Sequence, residues 1–285
     1  MIRTGARCAP PVFSPEPERV FREPGGLRGA CGGVCLARLR PAPATRPLFT
    51  MPKSSMLYMS SPINALLEGF CSDDVTIDTL RAKGDFGIGT FNNLDGELIA
   101  LGGRFFQLDL DGHARAVDGA MKTPFATVCQ FSPMLTEEFL SPLAYEKFLE
   151  QLTAILPSAN MFYAIHMEGR FREVRTRSVP RTDNYRPLAE ATDKQKICQF
   201  ADVDGHLVGF YTPSFVPSVN VPGFHFHFID AALSRGGHLL SCIPERIEVR
   251  LQIIYSMELT LPKTLDYLTA SFTRDAKKDL EKAEK

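Results

Sequence analysis

Three of the chain's six histidines fall within fourteen residues, in Pro222-Gly223-Phe224-His225-Phe226-His227-Phe228 and the following Gly236-Gly237-His238. Strict alternation of Phe and His has the two-residue period of a β-strand, which sends successive side chains to opposite faces. His225 and His227 therefore share a face, and the three phenylalanines pack on the other. A loop through Ser234-Arg235-Gly236-Gly237 returns His238 beside them on an adjacent strand. Three imidazoles converging from two strands make a ligand set for a borderline divalent cation, with one position left for water or substrate. A lone histidine is usually an ordinary core or surface residue, but this grouping points to a metal.

The rest of the chain must position that segment. With 285 residues, 44% hydrophobic and 23% charged, the composition is that of a folded protein with one large domain or two ordinary ones. Lys and Arg number 32 against 33 Asp and Glu, so no overall field favours nucleic acid or a membrane surface. No run approaches the roughly 20 apolar residues that span a bilayer. The seven cysteines form no even framework, which argues for a reducing, cytoplasmic compartment. Cys31 and Cys35 have the look of half a zinc knuckle, yet no second pair follows.

Residues 1–55 differ in character from the remainder of the chain. Rich in Pro, Gly and Arg and without periodicity, they are expected to be a disordered extension. They hold no apolar stretch of a secretory signal, and Glu16, Glu18 and Glu23 weaken an organelle address. A true start at Met51 or Met56 explains the segment equally well.

From Leu57 the pattern is ordered. Short helices are expected over 61–69, closed by Gly69, and over 76–83. Residues 85–111 alternate around two hairpin signals, Asp95-Gly96 and Asp111-Gly112. Helical spacing covers 137–156, a strand 161–176, and a loop Ser178-Val179-Pro180-Arg181. Residues 93–101 echo 202–210, each reading as an Asp-Gly hairpin followed by an apolar strand. Part of 265–285 is expected to be an amphipathic helix or an ordered tail. The expected class is α/β of the α+β kind: two β-rich halves with mixed sheets, few helices and the metal site in the C-terminal half. The expected domains are a mixed β-sheet domain over 56–160 and a metal-binding β domain with a C-terminal tail over 161–285.

A two-residue turn at Asp95-Gly96 pairs Thr90 with Leu101 and sets Thr90 and Glu97 on one face of the hairpin. Arg175 and Arg177 have equal parity on the strand leading to Pro180. Taken singly, Glu97 and both arginines read as solvated surface charges. Spacing alone brings none of them to the histidines.

Several motifs, in order and in register, resemble the alpha-acetolactate decarboxylase family. They are Gly84-Asp85-Phe86-Gly87-Ile88-Gly89-Thr90-Phe91-Asn92-Asn93-Leu94-Asp95-Gly96-Glu97, Lys122-Thr123-Pro124-Phe125-Ala126, Thr176-Arg177-Ser178-Val179-Pro180-Arg181, and the His-rich segment itself. The resemblance runs from about Leu57 to the C-terminus. It implies that His225, His227 and His238 hold one zinc ion per chain. It further implies that Glu97 and Arg177 are the active-site glutamate and arginine, and that Thr90 lies at the substrate pocket. A catalytic glutamate from the tail matches Glu284 best, with Glu281 as the alternative. Phe226 departs from relatives with a polar residue there, but it faces away from the metal.

The implied reaction is decarboxylation of 2-acetolactate to acetoin and carbon dioxide, a lyase step on the acetoin and butanediol route. The metal would chelate the substrate's oxygens and stabilise an enediolate, with no need for thiamine or pyridoxal. The resemblance also implies a cytoplasmic homodimer whose partner is this small-molecule substrate, with neither nucleic acid nor membrane. Two rival readings are a cupin-type metal oxygenase or isomerase, for which Asp230 is the only nearby acid, and a metal-binding domain without turnover.

Overall fold

The structure, a computed structural model, describes residues 55–182, 188, 192–272 and 280. The extension expected over 1–55 lies outside them except for Ser55, and so do Cys31, Cys35, Glu281 and Glu284. In chain order the first elements are β1 (Met56–Met59), α1 (Ile63–Leu67), β2 (Val75–Thr76), α2 (Ile77–Lys83), β3 (Phe86–Thr90), β4 (Glu97–Leu101) and β5 (Arg104–Leu108). Next come β6 (Ala114–Ala116), β7 (Lys122–Thr123), β8 (Ala126–Cys129), β9 (Leu135–Phe139) and α3 (Tyr145–Ile155). The last are β10 (Phe162–Ser178), β11 (Lys196–Thr212), β12 (Gly223–Asp230), β13 (Gly236–Ile254), β14 (Ser256–Leu259) and α4 (Leu265–Thr269).

A seven-stranded sheet runs β14-β1-β8-β3-β4-β5-β6, and only its β1–β14 edge is parallel. A second sheet runs β10-β11-β12-β13-β9, and an added β10–β13 pairing closes four of its strands into a ring. This is the mixed-sheet α+β class expected, and no helix among the described residues is long and apolar enough to cross a membrane.

Strand alternation divides the core into layers. Phe226 and Phe228 turn into a cluster with Phe171, Leu207 and Val249, covered by Phe148 and Leu152 of α3. Burying each such phenyl contributes roughly 1.5–3 kcal/mol. The opposite face of the ring meets the seven-stranded sheet: Val208, Phe210 and Ile229 pack against Phe86, Ile88 and Ile99. On the far side of that sheet, Leu98 and Phe105 pack against Ile77 and Leu80 of α2. The Thr76 side chain caps α2 by accepting from Thr79 N, with Asp78 in its first turn and Arg81 and Lys83 in its last.

Three local expectations need correction. The segment 137–156 is not one helix: its start belongs to β9, and α3 begins only after Pro142. Proline and its restriction of the preceding residue break the helical pattern there. The Asp95-Gly96 turn is not two residues long. Thr90 pairs directly with Glu97, across a connection in which Asn93 and Leu94 take left-handed φ values of 64° and 56°. The echo over 202–210 is not a hairpin, because Asp204-Gly205 lies inside β11. Gly205 is there for close approach: a Cβ would lie 2.6 Å from the Phe228 ring. At the C-terminus the described helix is α4, with Leu280 buried among Ile63, Leu66 and Leu94.

Candidate metal centre

The phenylalanines of β12 point into the ring, so His225 and His227 point toward the seven-stranded sheet. His227 is the direct cross-strand partner of His238 on β13. Gly236 permits that approach, since a Cβ there would collide with the Phe228 carbonyl oxygen. The three ring centroids lie 4.9–5.3 Å apart, and one nitrogen from each ring falls within 4.8 Å of the others. His225 Nε2 and His238 Nδ1 are 3.2 Å apart. Two nitrogens bound tetrahedrally to one zinc at about 2.0–2.1 Å lie about 3.3 Å apart, so this spacing suits a shared ion.

His227 Nδ1 lies 2.9 Å from the Leu98 carbonyl oxygen, which only accepts. That nitrogen therefore carries the proton, and Nε2 keeps its lone pair for a ligand bond. His227 and His238 are buried and His225 partly exposed. Burial, and then Arg177, pushes His225 down to about 3. His227 and His238 are held well below the usual histidine value, chiefly by burial. Neutral imidazole is the form that binds metal. Donor type, spacing and tautomer thus all fit a zinc-class cation.

Glu97 and Arg177 meet beside the triad. Arg177 is the cross-strand partner of His238 on β10, and Glu97 begins β4 in the facing sheet. Arg177 Nη1 donates to Glu97 Oε1 at 3.2 Å, with side-chain exposures of only 5% and 8%. Neither is a surface charge, as single-residue reasoning suggests. Glu97 Oε2 also lies 3.7 Å from His227 Nε2. Arg175 does not join them: a register shift separates it from Thr176, and it does not line the cavity. Thr90 lines the cavity, its hydroxyl donating to Gly96 O at 2.8 Å and so bracing the turn before Glu97.

The cavity measures about 40 Å³, with Thr90, Glu97, Arg177 and the histidines as its polar lining. Its apolar walls are Ile63 and Leu66 of α1 with Leu94, Phe125, Val179 and Leu188. Sequence reasoning missed this wall. The available signal was that Leu94, Phe125 and Val179 fall within the motifs that carry the family resemblance; the structure adds that buried Leu94 is left-handed, and a strained non-glycine residue often marks a functional site. Asp230, the acid a cupin-type set requires, is engaged elsewhere, accepting from Ser234 N, Ser234 Oγ and Arg235 N.

Comparison with known proteins adds an independent line. The family model described as alpha-acetolactate decarboxylase matches residues 57–274. An alpha-acetolactate decarboxylase of Methanosarcina mazei is 41% identical over 233 residues, covering 81% of each chain. One from Bacillus licheniformis is 39% identical, over 76% of this chain and 87% of its own. The crystal structure of the alpha-acetolactate decarboxylase from Bacillus subtilis strain 168 superposes with a TM-score of 0.78 at 37% identity. It covers 80% of this chain and 99% of its own.

Proposed function

We infer the working of this site from one premise: the chain belongs to the alpha-acetolactate decarboxylase family, and it decarboxylates acetolactate to acetoin. His225, His227 and His238 hold one zinc ion, and the observation that carries this reading is three neutral imidazoles sharing a cavity with the buried Arg177–Glu97 pair. When bound, the ion supplies Lewis-acid polarisation of the substrate's hydroxyl and keto oxygens.

The chain's own residues do the rest. Acetolactate arrives as a carboxylate, and Arg177 is the fixed cation that receives it. Breaking the bond to the carboxyl carbon releases carbon dioxide and pushes the electron pair into the neighbouring ketone, leaving an enediolate. Arg177 then faces the developing negative charge from a buried position, where such an interaction is strongest. A guanidinium stays charged at any protein pH, so it does not deliver the proton that completes acetoin. Glu97 relays it: the carboxylate takes one proton from solvent in each turnover and passes it, directly or through one water, to the carbon that lost the carboxyl group. Protonation from one fixed side yields a single acetoin enantiomer. Thr90 holds the turn that aims Glu97, and the apolar walls receive the substrate's methyl groups. Glu284, outside the described residues, is the second carboxylate of this reading.

The same reading makes the enzyme a cytoplasmic homodimer. In support, Cys71, Cys129, Cys198 and Cys242 are free, and the edge strand β14 carries exposed Met257 next to exposed Tyr255. The test of the centre is incubation with racemic acetolactate before and after chelation, following acetoin and bound metal together. Turnover should vanish with the metal and return with zinc. Undiminished turnover by verified metal-free protein would overturn the role of the triad.

A further inference from the structure

The triad has a strand-level pattern: two ligands at positions i and i+2 of one strand, and a third directly opposite i+2 on the neighbouring strand. That pattern recurs once more among the described residues. His166 and Glu168 stand at i and i+2 on β10, and His206 on β11 is the direct partner of Glu168. His166 Nε2 lies 3.2 Å from His206 Nδ1, the same separation as the His225–His238 pair. One ligand atom from each of the three residues lies within 4.8 Å of the others.

We propose that His166, Glu168 and His206 form a second site for a zinc-class divalent cation, with solvent completing its shell. Two imidazoles and one carboxylate are a common zinc donor set. His166 is 5% exposed and wedged edge-on against Phe86 and Phe131, which fixes its ring. Glu168 is exposed and His206 partly exposed, leaving an entry path from solvent. The site shares no ligand with the triad. In the register, Val208 of β11 stands between His166 and His227, so about 10 Å of backbone separates them.

Surrounding charge favours a cation. Glu248 is the β13 partner of Glu168, and the Asp230 carboxylate lies near His206. Arg250 opposes them, pairing with Glu248 and reaching Glu168 Oε2 at 3.3 Å. Three carboxylates against one guanidinium leave a net negative surrounding for a divalent ion. The competing structural role is simpler: one imidazole donates to the other and no ion enters.

The two are separated by stoichiometry. The full-length, untagged protein, stripped by chelator and titrated with cobalt(II), should bind two equivalents per chain, seen in the ligand-field spectrum and by metal analysis. His206→Ala should bind one equivalent and keep acetoin formation within about twofold of the parent. His227→Ala should lose the other equivalent. Glu168→Gln, an exposed change that leaves the fold undisturbed, should weaken the second equivalent by at least the roughly 10–100-fold that loss of even an outer-shell partner costs. A parent that binds a single equivalent overturns the proposal. So does a second equivalent retained in His206→Ala, or unweakened in Glu168→Gln.

Discussion

His225, His227 and His238, and His166, Glu168 and His206 one and two strands from β12 on the same face of the ring, occupy equivalent strand positions and have the same closest nitrogen separation. Their surroundings differ. Opposite the first cluster, the seven-stranded sheet presents Glu97, Thr90 and the Leu98 carbonyl around a cavity. Opposite the second, the flanking groups are the rings of Phe86 and Phe131. Strand alternation can therefore assemble ligands in more than one place, whereas reactivity needs what the facing sheet supplies. An acid and an arginine buried in a cleft have strong fields, while Glu168 and Arg250 at the rim are screened by solvent.

Four substitutions or conditions test that contrast. His227→Ala should have the largest effect, reducing acetoin formation to background and removing the cation of the cavity, as metal analysis would register. Glu97→Gln should retain that cation yet slow turnover by about 10²–10⁴-fold, the usual range for a lost acid–base group. Unchanged turnover there would remove the facing sheet from the chemistry.

Acidification should weaken both clusters in metal-free protein. Burial holds His225 and His166 to about 3, whereas an unfolded histidine titrates near 6.5. Below that value the unfolded chain takes up protons that the folded one excludes. The stability present above about pH 6.5 is thus lost as the pH falls toward 3, by at most about 1.4 kcal/mol per pH unit for each group, and by less for the partly exposed His225. Urea midpoints should be lower at pH 5.5 than at 7.5, and equal midpoints would contradict neutral imidazoles. The smallest effect belongs to Thr90→Val, which loses one hydrogen bond to Gly96. Thermal melts should show a cost of about 1 kcal/mol, with a modest fall in turnover as the Glu97 turn loosens.

The ligands of the first cluster are legible in the amino-acid sequence because they depend on local facts. A two-residue period decides which side chains share a face, and a short loop decides which strand returns beside them. The paired glycines before His238 belong to the same local code. The motif resemblance extends that reading to Thr90, Glu97 and Arg177. Their spacing alone leaves them as surface charges or misplaces them in register.

What the chain order could not express was decided by packing between distant segments. Glu97 and Arg177 are 80 residues apart, and only the stacking of one sheet on the other buries them together. The direct pairing of Thr90 with Glu97 rests on a left-handed turn at Asn93 and Leu94, neither of which is the glycine that usually announces one. His166 and His206 carry no mutual signal along the sequence. They meet because two seventeen-residue strands settle into one register, set by the sum of many buried contacts along their length. Periodicity is written residue by residue, but register and the facing layer are collective properties, and those brought the acid and the arginine to the histidines.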